Sequence, residues 1–575
     1  MINFFWCILI FEKKELRKKL SYFLYILKEM SLFRYFLFLL GWKEINPFRS
    51  KEFKEFIKQN KTKWQKKNYI NYDSSSSILV EAFINHPAYS LSNAVISIFL
   101  NKNFKHNSIA LIRKPDIKNQ ILFKSYGFKK FIYFKNLNLF QRIKYIFISI
   151  KILKKMKNID QAYRFKYKNI DVGLTAYDSY LRYVGDSTIN KITPDFIVIF
   201  AETLFGCDYF IDIFKEEKIS KLVQSETQFS PLNTLFQVGL KNKAEIYSRY
   251  GGDELTVRRY TNWKQRYEYR GAVSQKLFNE VYKKNRKKGV RQIKKLYSRK
   301  IKSKLFGVDE VIIGLTKIKL QSKIKNGIRN KFNWNNRKIA VFFLSHLLDG
   351  NFNYGFRKNF KNIYYSTKFV LDKLPKLKNV NWLIKPHPAE FHFAPKKDFK
   401  SLIKHLSDKY DHIKVFPEKL NPTILLKEAD LALTSSGTAG IEYPSFNINS
   451  IHYEKACYSS MNFMKTVSSK KKLINELENF HKLKKPSKTL IIKAQLYLFI
   501  RELLIKSKCS LIPKYIHSRR INEKKFWKDC SLNVKRFHFS NDFFYKMFMT
   551  QLKFNFRHTI NLKRIDLKLK KFNDF

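Results

Sequence analysis

The stretch Val380-Asn381-Trp382-Leu383-Ile384-Lys385-Pro386-His387-Pro388 decides the reading of the fold. Val380 to Ile384 is a short apolar run of the kind that fills a strand buried on both faces. The two prolines behind it fix the backbone and keep a helix from starting early, so an imidazole is held at the strand's carboxyl end. Working outward, Ile339 to Leu344, Ile413 to Phe416, Leu431 to Thr434 and Asn449 to His452 read as further strands. Tyr364 to Leu374, Lys397 to Leu406 and Pro422 to Glu428 read as the helices between them. Strict alternation implies a mostly parallel sheet with helices on both faces, in a domain of about 150 residues. Upstream, Ile78 to Phe83 (strand), Ala88 to Leu100 (helix) and Ser108 to Ile112 (strand) form a βαβ unit. Strands at Phe131 to Phe134, Ile219 to Val223 and Ala244 to Tyr247 follow, with a long basic helix from Leu137 to Met156.

The fold class expected is therefore α/β, two tandem domains with a linking helical region and the ligand in the cleft outside the strands' carboxyl ends. The expected division is an amphipathic helical region over 1–72, an N-terminal α/β domain over 73–336, a C-terminal α/β domain over 337–512 and a basic tail over 513–575. The Lys/Arg-dominated stretch from Lys276 to Lys331 reads as helices joining the two halves. A length of 575 residues exceeds what one core usually organises, and 45% apolar residues exclude wholesale disorder.

Lys+Arg number 113 against 46 Asp+Glu, a formal charge of +67. Abundant Lys, Asn, Ile and Phe beside scarce Ala and Gly are what an AT-rich coding sequence produces, so part of this charge is compositional. What remains attracts phosphates, anionic lipid headgroups or nucleic acid. Cys7, Cys207, Cys457, Cys509 and Cys530 show neither disulfide nor metal-ligand spacing, which fits a reducing cytosol. The apolar runs Phe4 to Phe11 and Leu32 to Trp42 fall short of the roughly 20 residues a membrane span needs. With Lys13, Lys14, Arg17, Lys18 and Lys19 between them they read either as an amphipathic surface anchor or as a helical pair packed on the protein's own core.

Two motifs sit where ligands are expected. After the first strand quoted, His387 can donate a hydrogen bond to a phosphate or leaving-group oxygen, with Lys385 beside it. The second is Thr434-Ser435-Ser436-Gly437-Thr438-Ala439-Gly440-Ile441-Glu442, hydroxyls and small residues at a strand-to-helix junction. Ser435, Ser436, Gly437 and Thr438 leave N–H groups open to a phosphate, and Glu442 is suited to ribose hydroxyls. Alone, each motif reads as well as a satisfied turn histidine or an ordinary helix start. Together they mean more, because strand order in a doubly wound domain can bring such ends side by side.

These motifs resemble the bacterial capsule and surface polysaccharide biosynthesis proteins, which are similar to CDP-glycerol glycerophosphotransferases and to HP-motif Kdo- and sialyltransferases. The likeness is carried by AYDSYLR (Ala176 to Arg182), FLSHLLDGNFNYG (Phe343 to Gly355), NWLIKPHPAE (Asn381 to Glu390) and LTSSGTAGIEYP (Leu433 to Pro444). The resemblance implies a GT-B fold, two Rossmann-like domains facing across a cleft with 73–336 serving the acceptor and 337–512 the nucleotide donor, no metal or other cofactor, and donor phosphate held by His387, Ser435 and Ser436. It further implies His346 and Asp349 at the neighbouring strand end. Phe356 to Ile363 departs from the family in being basic and asparagine-rich. A base from the N-terminal domain would be Asp178 or Glu226, with His86 and Arg182 as further cleft residues. Asp178 reads equally well as a helix cap or an ion pair with Arg182 four residues on.

The function expected is transfer of a sugar or polyol phosphate from a nucleotide-activated donor to a lipid-linked or polysaccharide acceptor. The enzyme would work in the cytoplasm at the anionic inner face of the plasma membrane. The rivals are a sugar-nucleotide epimerase or hydrolase of the same fold and a nucleic-acid-binding protein; no specific nucleic-acid signature is found.

Overall fold

The computed structural model describes residues 50–566 apart from 66–71, 73, 85, 114–115, 135–137, 253, 303–326, 358, 392–394, 419, 468 and 516–520. The two N-terminal apolar runs, Cys7 and most of the Lys276 to Lys331 connector beyond Lys302 lie outside the described residues. No described helix is long and apolar enough to cross a membrane. The chain divides into two compact units, residues 1–138 with 511–513 and 522–537, and residues 139–510 with 514–521 and 538–575. Their limits do not fall at the expected 72/73, 336/337 and 512/513.

The first unit contains the βαβ unit. β1 (Ser77–Ala82), β2 (Asn107–Arg113) and β3 (Lys130–Phe134) run parallel in that order, with the helix Pro87–Phe104 crossing between β1 and β2. The lysine-rich Lys51–Trp64 is a helix capped by the Ser50 hydroxyl on Phe53 N–H. Phe53, Phe56, Ile57 and Trp64 recur at helical spacing and are buried. The helix Glu523–Arg536, from the stretch read as a tail, packs on it, with Trp527 edge-on to Phe53 at 4.8 Å and stacked on Phe56 at 5.2 Å.

In the second unit, β4 (Ile219–Gln224) and β5 (Glu245–Tyr250) are parallel, but β6 (Glu254–Tyr260) turns back antiparallel to β5. The other sheet is made of β7 (Ile339–Phe343), β8 (Asn381–Lys385), β9 (Ile413–Val415), β10 (Leu431–Thr434), β11 (Asn449–His452) and β12 (Lys465–Thr466). β13 (Ser507–Lys508) joins β6 antiparallel. The six strands run parallel in the order β12-β11-β10-β7-β8-β9. The chain starts at the centre, steps out to one edge and returns to the other side, which is doubly wound topology with its switch point between β7 and β10. β7, β8 and β10 are nearly solid apolar runs because both faces are covered. The expected α/β class is what is observed.

Candidate active site

The strand register builds the site. Phe343, the last residue of β7, pairs with Lys385 of β8 on one side and Thr434 of β10 on the other. The loops that follow all three strands therefore leave the sheet at one level, at the switch point. Each carries polar residues within its first few positions: Ser345 and His346 after β7, His387 after β8, and Ser435 to Thr438 after β10.

The Ser345 and Ser435 hydroxyls are 2.6 Å apart, and the His346 and His387 rings lie with centroids 5.7 Å apart. His346 Nδ1 is 3.6 Å from the Asp349 carboxylate, whose side chain is 64% exposed while that of His346 is 1% exposed. Ser435 is buried; Ser436, Gly437 and Thr438 are half-buried and line the open side. Gly437 N–H donates to Thr434 Oγ1 at 3.1 Å, and Tyr458 OH donates to the Gly437 carbonyl at 2.6 Å, so the loop is fixed before any ligand arrives. The helix after it, Ala439–Ser445, is only seven residues long.

Burial sets the charge states. It pulls the His387 imidazole down to about 4, with Asp349 opposing this and His346 and Lys385 adding to it. His387 is therefore neutral at pH 7. Burial likewise draws Lys385 down to about 8, against the attraction of Glu442, and pushes Glu442 up to about 7 despite Lys300 and Arg501. Glu442 accepts a 3.4 Å hydrogen bond from Tyr297 OH, on the helix Arg286–Lys302. Partial desolvation would raise Asp349 too, yet the nearby imidazoles of His346 and His387 and the Arg182 guanidinium hold it below its ordinary value.

The AYDSYLR motif lies on the helix Val172–Val184, which ends at Gly185 with φ +80, a left-handed cap that favours glycine. Asp178 sits on its buried face. One carboxylate oxygen accepts from Asn351 N–H at 2.6 Å and Phe352 N–H at 2.8 Å, and the other from Asn351 Nδ2 at 2.9 Å. It thus clamps the far end of the loop after β7, and neither caps its own helix nor pairs with Arg182. Burial raises it to about 6, offset in part by these donors. One turn along, the Arg182 guanidinium lies 5.7 Å from the Phe229 ring, and its charge reaches Asp349. Asn351 passes the clamp on: its Oδ1 accepts from Arg357 Nε at 2.7 Å, and Arg357 Nη1 is 3.6 Å from Glu454, whose N–H donates to the Ser435 carbonyl.

Glu226 follows β4 and is ion-paired with Arg270 at 2.7 Å, while its other oxygen accepts from Thr227 N–H. His86 belongs to the first compact unit, where it precedes the helix Pro87–Phe104 with its ring edge-on to Tyr89 at 5.1 Å. The structure thus gathers His387, Ser435, His346, Asp349 and Arg182 into one neighbourhood. Ser345, Asn351 and Arg357 were not singled out from the sequence. Ser345 had a signal, a hydroxyl just past a buried parallel strand; Arg357 had only the unusual composition of Phe356 to Ile363, and Asn351 only its place inside the motif Phe343 to Gly355.

Among the described residues, no three His, Cys, Asp or Glu side chains are gathered as a metal site. No family model and no curated protein matches the chain. Solved structures do. A β-Kdo 2,4 transferase KpsC from Thermosulfurimonas dismutans is 12% identical with a TM-score of 0.28, covering 50% of this chain and 85% of its own. The β-Kdo 2,7 transferase KpsC of the same organism is 14% identical with a TM-score of 0.29, covering 57% and 90%. A UDP-GlcNAc 2-epimerase from Neisseria meningitidis bound to UDP-GlcNAc is 13% identical with a TM-score of 0.22, covering 73% and 95%.

Proposed function

We propose that the protein is a transferase of surface polysaccharide synthesis. It would take a sugar or a polyol phosphate from a nucleotide-activated donor and pass it to a lipid-linked or polysaccharide acceptor. The observation that carries this reading is the common level of the β7, β8 and β10 ends, with the Ser345–Ser435 pair spanning the switch point and His387 one strand farther, after β8. Neighbouring strands stand about 4.8 Å apart, so the ends of β8 and β10 are separated by roughly 10 Å across β7. A diphosphate held between them would be reached from both sides.

In this reading the acceptor hydroxyl oxygen forms the new bond as the donor's bond to its leaving phosphate breaks. The electron pair goes to that phosphate and the hydroxyl proton to a base. A neutral His387 donates an N–H to the phosphate, and the anion beside it favours uptake of a second proton as charge develops. The serine hydroxyls donate from the opposite side, a preorganised arrangement that costs no reorientation during the reaction. Glu442 and Lys385 would serve the nucleotide, and Glu226 is the candidate base. Asp178, with both oxygens committed to the loop, would act by positioning it.

The test is a melting-temperature screen with CMP, CDP, UDP and GDP, since a ligand of the native state raises the midpoint with its affinity. One nucleotide should stabilise the protein, and His387→Ala should remove that shift and lower donor turnover by about a hundredfold or more. Turnover should require acceptor and persist in EDTA. Donor consumed without acceptor would point instead to the epimerase or hydrolase reading.

A further inference from the structure

The described part of the second unit carries one concentrated exposed apolar ridge. On the helix Leu139–Lys154, Leu139 is 70%, Phe140 83%, Ile143 45% and Phe147 70% exposed. Phe140, Ile143 and Phe147 are spaced i, i+3 and i+7, and Leu139, Ile143 and Phe147 i, i+4 and i+8, so all four share one face. The opposite face is occupied. Ser149 and Leu153 are buried, Tyr145 stacks edge-on with Phe205 of the helix Pro194–Glu216 at 5.5 Å, and its hydroxyl donates to Asp208 at 2.8 Å. The helix is held rigidly from behind, with two phenylalanines pointing away from the protein.

Charge says what meets them. Arg142, Lys144, Lys151, Lys154, Lys155 and Lys157 flank the ridge, and no Asp or Glu occurs from 139 to 157. The nearby carboxylate, Asp208, lies on the packed side in an ion pair with Lys168 at 2.8 Å. Aromatic and aliphatic side chains ringed by cations of one sign suit an interface with hydrocarbon beneath and anions above it. We infer that this helix is a docking surface for an anionic phospholipid bilayer, Phe140 and Phe147 entering the acyl boundary while the basic residues meet lipid phosphates. The inference concerns a surface separate from the donor site and stands independently of the proposed chemistry.

Flotation of the full chain with phosphatidylcholine vesicles, with and without phosphatidylglycerol, tests it. Wild type should float with the anionic vesicles, and Phe140→Ser/Phe147→Ser should weaken that binding by about tenfold or more with an unchanged melting temperature. Arg142→Glu/Lys144→Glu should also weaken it. Lys471→Glu/Lys472→Glu, the same charge change on the exposed face of the helix Lys470–Glu478, should not. Undiminished flotation of the phenylalanine variant, equal binding to the two vesicle types, or equal loss in both charge variants would overturn the assignment. A lipid-free change in oligomeric mass on replacing the phenylalanines would assign the ridge to a second copy, and loss of nucleic-acid retention with vesicle binding intact would assign it to nucleic acid. Either would also overturn it.

Discussion

An imidazole drawn down to about 4 has a consequence for stability as well as for ligands. Unfolded, His387 takes up its proton near 6.5; folded, it does so only near 4, so between these values the unfolded state binds more protons and the fold weakens as pH falls. His387→Gln should therefore lose less melting temperature than wild type on acidification from pH 6.5 to 4, with His452, also drawn down by burial, remaining as background in both proteins. Asp178 makes a second test. Replacing it with Asn leaves one oxygen for the Asn351 and Phe352 N–H groups and sets an amide NH2 against Asn351 Nδ2, and we expect a loss of about 2 kcal/mol in denaturant unfolding. A residue acting only as a base would lose turnover and keep its unfolding midpoint. At this scale the sequence was legible where a residue's meaning comes from its own strand end, as for His387 and Ser435. It was silent for Asn351, whose role exists only through a carboxylate 173 positions away.

Five strands of the six-stranded sheet, β7 to β11, were readable to within a residue or two, because each is short, mostly buried and set between helical stretches; β12, the pair Lys465-Thr466, is exposed and polar and gave no signal. β6 was not readable either, since a buried strand carrying Arg258 and Arg259 does not look apolar; both arginines are held by ion pairs, to Glu268 and Glu245. The Gly251-Gly252 pair before it was the available signal for a reversal. The Lys51–Trp64 helix lies inside the amphipathic helical region expected over 1–72, and Phe53, Phe56, Ile57 and Trp64 supply its apolar face. The loop after β7 depends on one backbone position, Gly355, at φ +70 and ψ −160. A Cβ there would lie 3.0 Å from the Tyr267 ring, and that ring is tethered by its hydroxyl to Asp171 at 2.8 Å. Gly355→Ala should cost about 1–3 kcal/mol, measurable as a lowered unfolding midpoint.

Across the whole molecule, a formal charge of +67 means self-repulsion in the folded state. Raising sodium chloride should raise the melting temperature while weakening vesicle flotation, because salt screens both the internal repulsion and the attraction to lipid. A falling melting temperature would show that specific ion pairs outweigh the net repulsion. The stretch expected to be a motif-free tail instead finishes a sheet margin. Arg259 N–H donates to the Arg557 carbonyl at 2.7 Å, Thr559 N–H to the Val257 carbonyl at 3.2 Å, and Arg258 bridges His558 antiparallel. Because Val257 and Thr559 are 302 positions apart, the two cannot meet until most of the chain has left the ribosome. Through that interval the nascent polypeptide carries a raw β edge, the feature through which half-made proteins stick to one another.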